Sequence, residues 1–493
     1  MNILGVSAGF HDAAATVVDP NGNILFAGHS ERYSKIKNDA GLDYGLLHDV
    51  DRYGPISHVA YYERPWAKQL RRAYTGEGVQ WSQLTTKGVV RHHTGARYRR
   101  ARRSSHNHHL CHAAAGFQTS PFDRATCVVI DAIGEWETIT IWGAEYDSTG
   151  RAVYKRLWAQ NYPHSLGLFY SAITGRIGLR ILEDEYVTMG MAAYGRDAWY
   201  YQFYDKLIQD PENLTFRENL HLGLDQGFLP SASNEDLAAT AQAIVEDLIN
   251  SVMQRAADLN FSTNLVYGGG VALNCLANRN LGKNFSNIWI LPNPGDAGNS
   301  LGAAALAYGH RLNWTSAYLG HDIPGDYPVN DILDNLVTDR MVGVASGRAE
   351  FGPRALGNRS LLADPRGPDI KDKVNAIKRR QQFRPFAPVI LEELANTYFD
   401  MPGNWSDSRY MQVVARCRNP ELFPAIVHAD GTSRVQTVPK DGSGIRKLLE
   451  KWYVMTDCPM LLNTSLNIRG EPMVNERDDA DRFEMCYGVK VCS

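Results

Sequence analysis

Two histidines four residues apart, His108 and His112, stand in the run HNHHLCHAAAGF, just ahead of an Ala-rich stretch. On a helix, i,i+4 spacing puts both imidazoles on one face, one turn apart. Two imidazoles so placed can grip a single metal ion, with further ligands brought from elsewhere in the fold. Asp131 in VVIDAIGE and Asp296 in NPGDAGNS fall where strand ends meet glycine turns, and they complete a set of four. Imidazole nitrogen mixed with hard carboxylate oxygen suits iron(II), manganese or zinc and argues against a thiolate site. Pairs of histidines at this spacing also occur as plain surface residues, so the rest of the chain has to decide.

A second concentration of chemistry lies in the last third. GRAEFGPRALGNRSLLADPR carries Arg348, Arg354 and Arg359; NAIKRRQQFRPFAPVI carries Lys378, Arg380 and Arg384; LLNTSLNIRGEP carries Thr464, Ser465 and Asn467. Guanidinium groups in Gly/Pro loops capture phosphate or carboxylate oxygens in pairs, and hydroxyls at a strand end add neutral donors. Arginine beside Phe383, Pro385 and Phe386 is costly to desolvate without a partner. Together these residues predict a pocket for a polyanion such as a triphosphate plus a second acyl or phosphoryl group. A basic surface or domain interface is the competing explanation.

The elements that must position these groups follow from pattern. Residues 2–32 read as strand, glycine turn, strand, tight turn, strand, and the same order recurs over 125–159. Two β-β-β openings roughly 120 residues apart point to an internal duplication. Paired lobes of this kind resemble the actin/sugar-kinase/heat-shock superfamily, which binds nucleotide between its lobes. A stripe of Leu237, Ala241, Ile244, Leu248, Val252 and Ala256 predicts a core-facing helix capped by Ser233 or Asn234. LVYGGGVALN and IWILPNPGDAGNSLGAAALAYG read as strand–loop–helix units, where small residues let backbone amides approach a ligand. Gly269 and Gly270 with Asn274 would suit contact with a ribose or adenine. The polar, Pro/Gly-bearing stretch 315–335 marks the expected domain boundary.

Bulk composition constrains the class. At 493 residues, two or three domains are expected. With 44% hydrophobic and 21% charged residues and net charge −3, the chain reads as an ordinary soluble protein, so local charge runs stand out. Seven cysteines without a Cys-x-x-Cys pair read as free thiols in a reducing compartment. The opening MNILGVSAGF lacks a basic n-region, and no window approaches a membrane span. A cytoplasmic location is expected.

SAGFHDAA, SERYSKIKND, HHLCHAAAGF, VVIDAIGE, PHSLGLFYSAIT, EDEYVTMGMAAYG, YGGGVALN, PGDAGNSLGAA, FGPRALGNRS, FRPFAP and LLNTSLNIRGEP run in one order along nearly the whole chain. In this the sequence resembles the O-carbamoyltransferases of nodulation and antibiotic tailoring. The resemblance implies an α/β fold. A duplicated, Kae1-like metal-binding transfer domain would span 1–330, and an α+β YrdC-like domain 340–493. The latter would make carbamoyl adenylate and pyrophosphate from carbamoyl phosphate and ATP with Mg2+. An acceptor hydroxyl at the first domain would then take the carbamoyl group. It further implies His108, His112, Asp131 and Asp296 as ligands to a divalent metal, Fe2+ ahead of Mn2+ or Zn2+. His11 is implied as general base, and Gly269, Gly270 and Asn274 as adenylate contacts. Arg348, Arg354, Arg359, Lys378, Arg380, Arg384, Thr464, Ser465 and Asn467 would hold ATP and carbamoyl phosphate, with Arg354 and Lys378 closest to the chemistry. A homodimer is the assembly considered.

The acceptor is read from a different segment. From Gly78 to Phe122 there is no Asp or Glu, while Lys87, Arg91, Arg97, Arg99, Arg100, Arg102 and Arg103 lie inside, interleaved with Trp81, Tyr98 and histidines. Arginine with aromatics suits phosphate backbones and stacked bases. The segment runs straight into His108, which predicts a polyanionic acceptor such as 5-hydroxymethylcytosine, or another hydroxymethylpyrimidine, in DNA. The alternatives are a small-molecule hydroxyl (sugar, antibiotic or free nucleotide), tRNA threonylcarbamoyl-type modification, and a non-catalytic nucleotide switch with no use for a histidine pair.

Overall fold

The computed structural model describes residues 1–403, 405 and 407–493. Its chain forms two compact units, one of Met1–Gly9, Ala15–Leu25 and Gly54–Trp314, the other of Phe10–Ala14, Phe26–Tyr53 and Thr315–Ser493.

The expected duplication is visible as two five-stranded sheets of the same topology. In the first, strands Ile24–His29, Ala14–Val18, Asn2–Ser7, Ile56–Tyr61 and Arg102–Ser105 lie in that order. In the second the order is Ala152–Asn161, Glu137–Tyr146, Arg124–Gly134, Asn264–Gly268 and Asn287–Ile290. Each copy contributes three strands consecutive in sequence and then two added in parallel. The fold is mixed α/β with an internal repeat.

In the second sheet, Arg124–Gly134, Asn264–Gly268 and Asn287–Ile290 run parallel, so their carboxyl ends open on one edge. Loops beyond such strand ends are where α/β sheets place ligands. Here the strand ends and the loops that follow them carry Asp131, Gly268–Gly270 and Asp296 respectively. Helix His108–Phe117 leads into the first of these strands. The long helix Asn234–Asp258 forms where predicted, with Ser233 capping through the Asp236 amide and the whole apolar stripe buried.

The second unit is built on a six-stranded mixed sheet ordered Gln436–Val438, Ala387–Leu391, Met460–Ser465, Arg359–Ala363, Met341–Ala345, Val491–Cys492. Helices Val329–Asp339, Gly444–Thr456 and Arg477–Tyr487 belong to the same unit, and Leu336, Leu448 and Phe483 are buried in its core with Leu361, Leu362 and Leu461. Arg32, from the early segment of this unit, is buried and donates to the backbone carbonyls of Glu350 (2.5 Å) and Gly352 (2.8 Å). All seven cysteines are free thiols, Cys486 alone among them exposed. Among the described residues no helix is long and apolar enough to cross a membrane.

Candidate metal centre and anion pocket

Asn107 starts the histidine helix, its Oδ1 accepting the Leu110 amide at 2.8 Å while its Nδ2 donates to Glu137 at 3.0 Å. The helix therefore begins at a fixed point against the sheet, and His108 and His112 project from one face with their Nε2 atoms 3.2 Å apart. His109, between them, points elsewhere, its Nδ1 bonded to Thr140 Oγ1 at 3.0 Å.

Asp131 and Asp296 close on this pair. His108 Nε2 is 3.1 Å from Asp131 Oδ2 and 3.2 Å from Asp296 Oδ1; His112 Nε2 is 3.5 and 3.4 Å from the same atoms. The four donor atoms all lie within 4.8 Å of one another, and all four residues are buried. Donor spacings of 3.1–3.5 Å are the edges of a shell whose metal–ligand bonds are about 2.1 Å long.

Glycines make the convergence possible. A Cβ on Gly134 would stand 2.3 Å from His108 Cδ2, one on Gly302 2.0 Å from the Cys111 carbonyl oxygen, and one on Gly5 1.9 Å from that of Ser300. Helix Asn299–Tyr308, which follows Asp296, therefore meets the histidine helix backbone against backbone. Gly269 has φ +88° and would press a Cβ to 2.1 Å from the Ile130 oxygen. Gly270 donates its amide to Asp131 Oδ1 at 3.1 Å, which turns Oδ2 toward the imidazoles.

Charge bears on what the cluster could hold. Burial works against ionising Asp131 and Asp296, yet the two imidazoles hold both carboxyls well below the usual range. Burial likewise opposes charge on His108, but Asp296, Asp131 and Glu63 hold its pKa well above the ordinary value. Buried carboxylates crowded this way need positive charge beside them, which a protonated imidazole or a bound metal ion equally supplies. Behind the ring, Glu63 Oε1 lies 3.5 Å from His108 Nδ1 and its other oxygen takes the Lys68 ammonium at 2.6 Å. Burial opposes that carboxylate too, but Lys68 and then His108 bring it to about 2. A carboxylate behind a ligating imidazole fixes ring orientation and raises its basicity. Donor type, spacing and buried charge all fit a divalent metal.

In the second unit, His11 and Asp12 pair, Nδ1 to Oδ2, at 2.9 Å, with Asp12 in the left-handed region at φ 52°. Lys378, Ser465 and Asn467 come together: the Lys378 ammonium donates to the Ser465 carbonyl (2.5 Å) and hydroxyl (3.2 Å) and to the Asn467 carbonyl and side chain (both 2.9 Å). Burial first, and then Arg380 and Arg384, push the Lys378 pKa well below the usual ammonium value. Arg380 donates to Asn375 Oδ1 (2.6 Å) and the Pro385 carbonyl (3.0 Å) and lies 4.0 Å over the Phe386 ring. Thr464 and Arg384 are half-buried, as is Arg354, which sits in the loop after strand Gly347–Glu350. Glu350 Oε1 organises that loop by accepting the amides of Leu356 (2.8 Å), Asn358 (2.9 Å) and Arg359 (3.2 Å).

Two of the residues expected to contact ligand have structural partners in this geometry. Arg359 is fully buried and its guanidinium serves the carbonyls of Asn475, Ser346, Gly347, Asn358 and His321, so it braces the loop. Asn274 is committed to a reciprocal amide pair with Gln242 and to capping the Ala277 amide. Arg348 holds the carbonyls of Leu319 (2.5 Å) and Gly320 (3.4 Å). Gly269 and Gly270 act on Ile130 and Asp131 through backbone shape.

Comparison with known proteins is decisive for the class. Residues 79–305 match the family model described as Carbamoyltransferase N-terminus, and residues 333–492 the one described as Carbamoyltransferase C-terminus. The chain belongs to the carbamoyltransferase family. It is an enzyme that transfers carbamoyl groups. Its relatives include an uncharacterized protein of Synechocystis (32% identical over 98% of this chain and 94% of the relative). Nodulation protein NolNO of Sinorhizobium fredii is 30% identical over 95% of this chain and 76% of its own length. Nodulation protein NolO of Bradyrhizobium diazoefficiens is 30% identical over 76% and 75%.

Several residues around this carbamoyltransferase's clusters carry no motif. Glu63 and Lys68 look like ordinary surface charges in YYERPWAK, and only the fold brings them behind His108. Glu350 reads as one more acid in a basic loop, and Asn299 as a helix cap. Asp12 has a signal, since an acid beside a histidine in a glycine turn is the simplest way to orient an imidazole.

Proposed function

We propose that this carbamoyltransferase activates carbamoyl phosphate with ATP, through residues 340–493, and delivers the carbamoyl group to a hydroxymethylpyrimidine hydroxyl in DNA, through residues 1–330. The supporting observation is the continuity of the buried His108/His112/Asp131/Asp296 cluster with an exposed basic strip. Helix Thr86–Thr94 and the turn after it expose Lys87, Arg91, Arg99, Arg100 and Arg102. Strand Arg102–Ser105 then runs through His106 and Asn107 directly into His108. Trp81 is 77% exposed at the start of the same segment and Tyr74 73% exposed just before it. Cations beside open aromatic faces suit a polynucleotide with an unstacked base.

The division of labour follows from the residues. Lys378, Arg380 and Arg384 repel one another, and a polyanion relieves that repulsion; the phosphates of ATP and of carbamoyl phosphate supply it. Arg354, in the loop that Glu350 shapes, is assigned to the same anions. A metal held by the two histidines and two aspartates supplies Lewis-acid polarisation of a carbonyl oxygen. We assign the proton of the acceptor hydroxyl to His11, whose Nδ1 pairs with Asp12 Oδ2, as the hydroxyl oxygen bonds to the carbamoyl carbon and AMP departs.

The test is to incubate the protein with carbamoyl phosphate, ATP and DNA containing 5-hydroxymethylcytosine, digest the DNA, and weigh the nucleosides. A hydroxymethyl nucleoside heavier by one carbamoyl group is expected, with pyrophosphate from ATP and inorganic phosphate from carbamoyl phosphate released beforehand. Transfer to a free nucleoside or sugar but not to DNA would remove the polymer acceptor. Arg354→Ala should abolish pyrophosphate release; full release by that variant would overturn the anion-pocket assignment.

A further inference from the structure

Asn299 begins the helix that follows Asp296, is fully buried, and touches the metal cluster. Its Nδ2 lies 2.9 Å from His112 Nε2 and 3.5 Å from His108 Nε2, while its Oδ1 is buried with no hydrogen-bond partner. The arrangement is inverted for a metal site. An imidazole nitrogen that binds a cation gives it the lone pair that an amide N–H would need. Oxygen and nitrogen of an amide exchange places by a half-turn about the terminal bond, with almost no change of shape. That half-turn puts Oδ1 about as far from His112 Nε2 as the other donors of the cluster stand from it. It also turns the orphaned oxygen into the cluster, with Nδ2 taking the place that Oδ1 held.

We infer that Asn299 Oδ1 is a fifth protein donor to the metal. This rests on the metal reading of the four-residue cluster and extends it. A neutral, hard oxygen tilts the set of donors toward cations that accept five or six ligands, iron(II) and manganese, over one content with four. It also couples the ion to the first turn of helix Asn299–Tyr308, so that Asp296 and Asn299, three residues apart, clamp from one element.

The test uses the full-length metal-free protein and Co2+ alone. Chelator competition gives the affinity, and the visible spectrum reports coordination number. Asn299→Leu, which keeps size and removes the oxygen, should weaken Co2+ binding by about 10- to 100-fold and shift the absorption toward the stronger bands of four-coordinate cobalt. Asn299→Asp, which restores an oxygen, should bind at least as tightly as the parent. Wild-type affinity and spectrum in Asn299→Leu would overturn the inference while leaving the four ligands standing. No Co2+ binding by the parent protein would instead overturn the metal reading, and this inference with it. A crystal of the Co2+-loaded parent decides without any substitution. The Asn299 amide within about 2.3 Å of the ion supports the assignment, and an amide beyond about 3 Å defeats it.

Discussion

Single residues here show how much of a site is set by what stands behind it. His108 and His112 are legible from spacing alone, but the orientation of the rings depends on Glu63, Gly134 and Asn107, none of which forms a motif. The same holds for His29. It is buried, and burial, then Arg32, bring its pKa down from 6.5 to about 3, with Lys37 adding to the effect and Asp12 opposing it. An unfolded chain takes up this proton near pH 6.5 while the folded one resists. The stabilisation is therefore complete above about pH 6.5 and drains away as pH falls toward about 3. Urea unfolding at about pH 7 and pH 5 should show the parent losing on the order of 1–2 kcal/mol more than His29→Leu over that interval. Equal losses in both proteins would mean another group controls the acid limb.

At the level of elements, periodicity and turn chemistry announce most of the architecture. The β-β-β openings, the Leu237–Ala256 stripe and the strand–glycine–helix units are all readable because their side chains repeat at the period of the backbone they build. Helix-to-helix distance is not readable that way. Gly302 in NSLGAAALAY looks like a poor helix former, and its reason appears only when the Cys111 carbonyl is found where its Cβ would go. Gly302→Ala separates the two effects. In an open helix the change stabilises by about 1 kcal/mol; here overpacking should destabilise by roughly 1–3 kcal/mol. Denaturant unfolding gives the sign, and Co2+ affinity should fall with it, because the histidine helix and the Asp296 turn are pushed apart. The arginines expected to bind anions show the opposite failure. Composition marks Arg354 and Arg359 alike, and only packing separates the loop brace from the half-buried group that remains a candidate for ligand.

On the scale of the whole molecule, contiguity in sequence is a poor guide to which parts belong together. Local composition places the break within 315–335, and Phe10–Ala14 and Phe26–Tyr53 also join the unit that resumes at Thr315. A fragment of 315–493 therefore lacks Arg32 on the Glu350 and Gly352 carbonyls, Asp49 on His321 (2.6 Å), and Lys35 on Asp479. It should be recovered aggregated or unfolded by circular dichroism, and supplying residues 1–314 as a second chain should rescue it. A well-folded isolated fragment would show that those early segments are dispensable. The basic strip makes a global prediction of its own. If it carries DNA, log affinity falls linearly with log salt, and replacing Arg99, Arg100 and Arg102 by alanine reduces that slope by about 2–3. An unchanged slope would assign the strip to some other role.

The contact of Gly302 with the Cys111 backbone has one more consequence. Where two helices are separated only by main-chain atoms, neither can move closer, so the packing sets a floor on the spacing between His112 and the turn that holds Asp296. Any ion taken up between them would meet a cage whose smallest size is set by the skeleton, and calcium, which asks for six to eight oxygens at about 2.3–2.6 Å, would find only two carboxylates among the four donors.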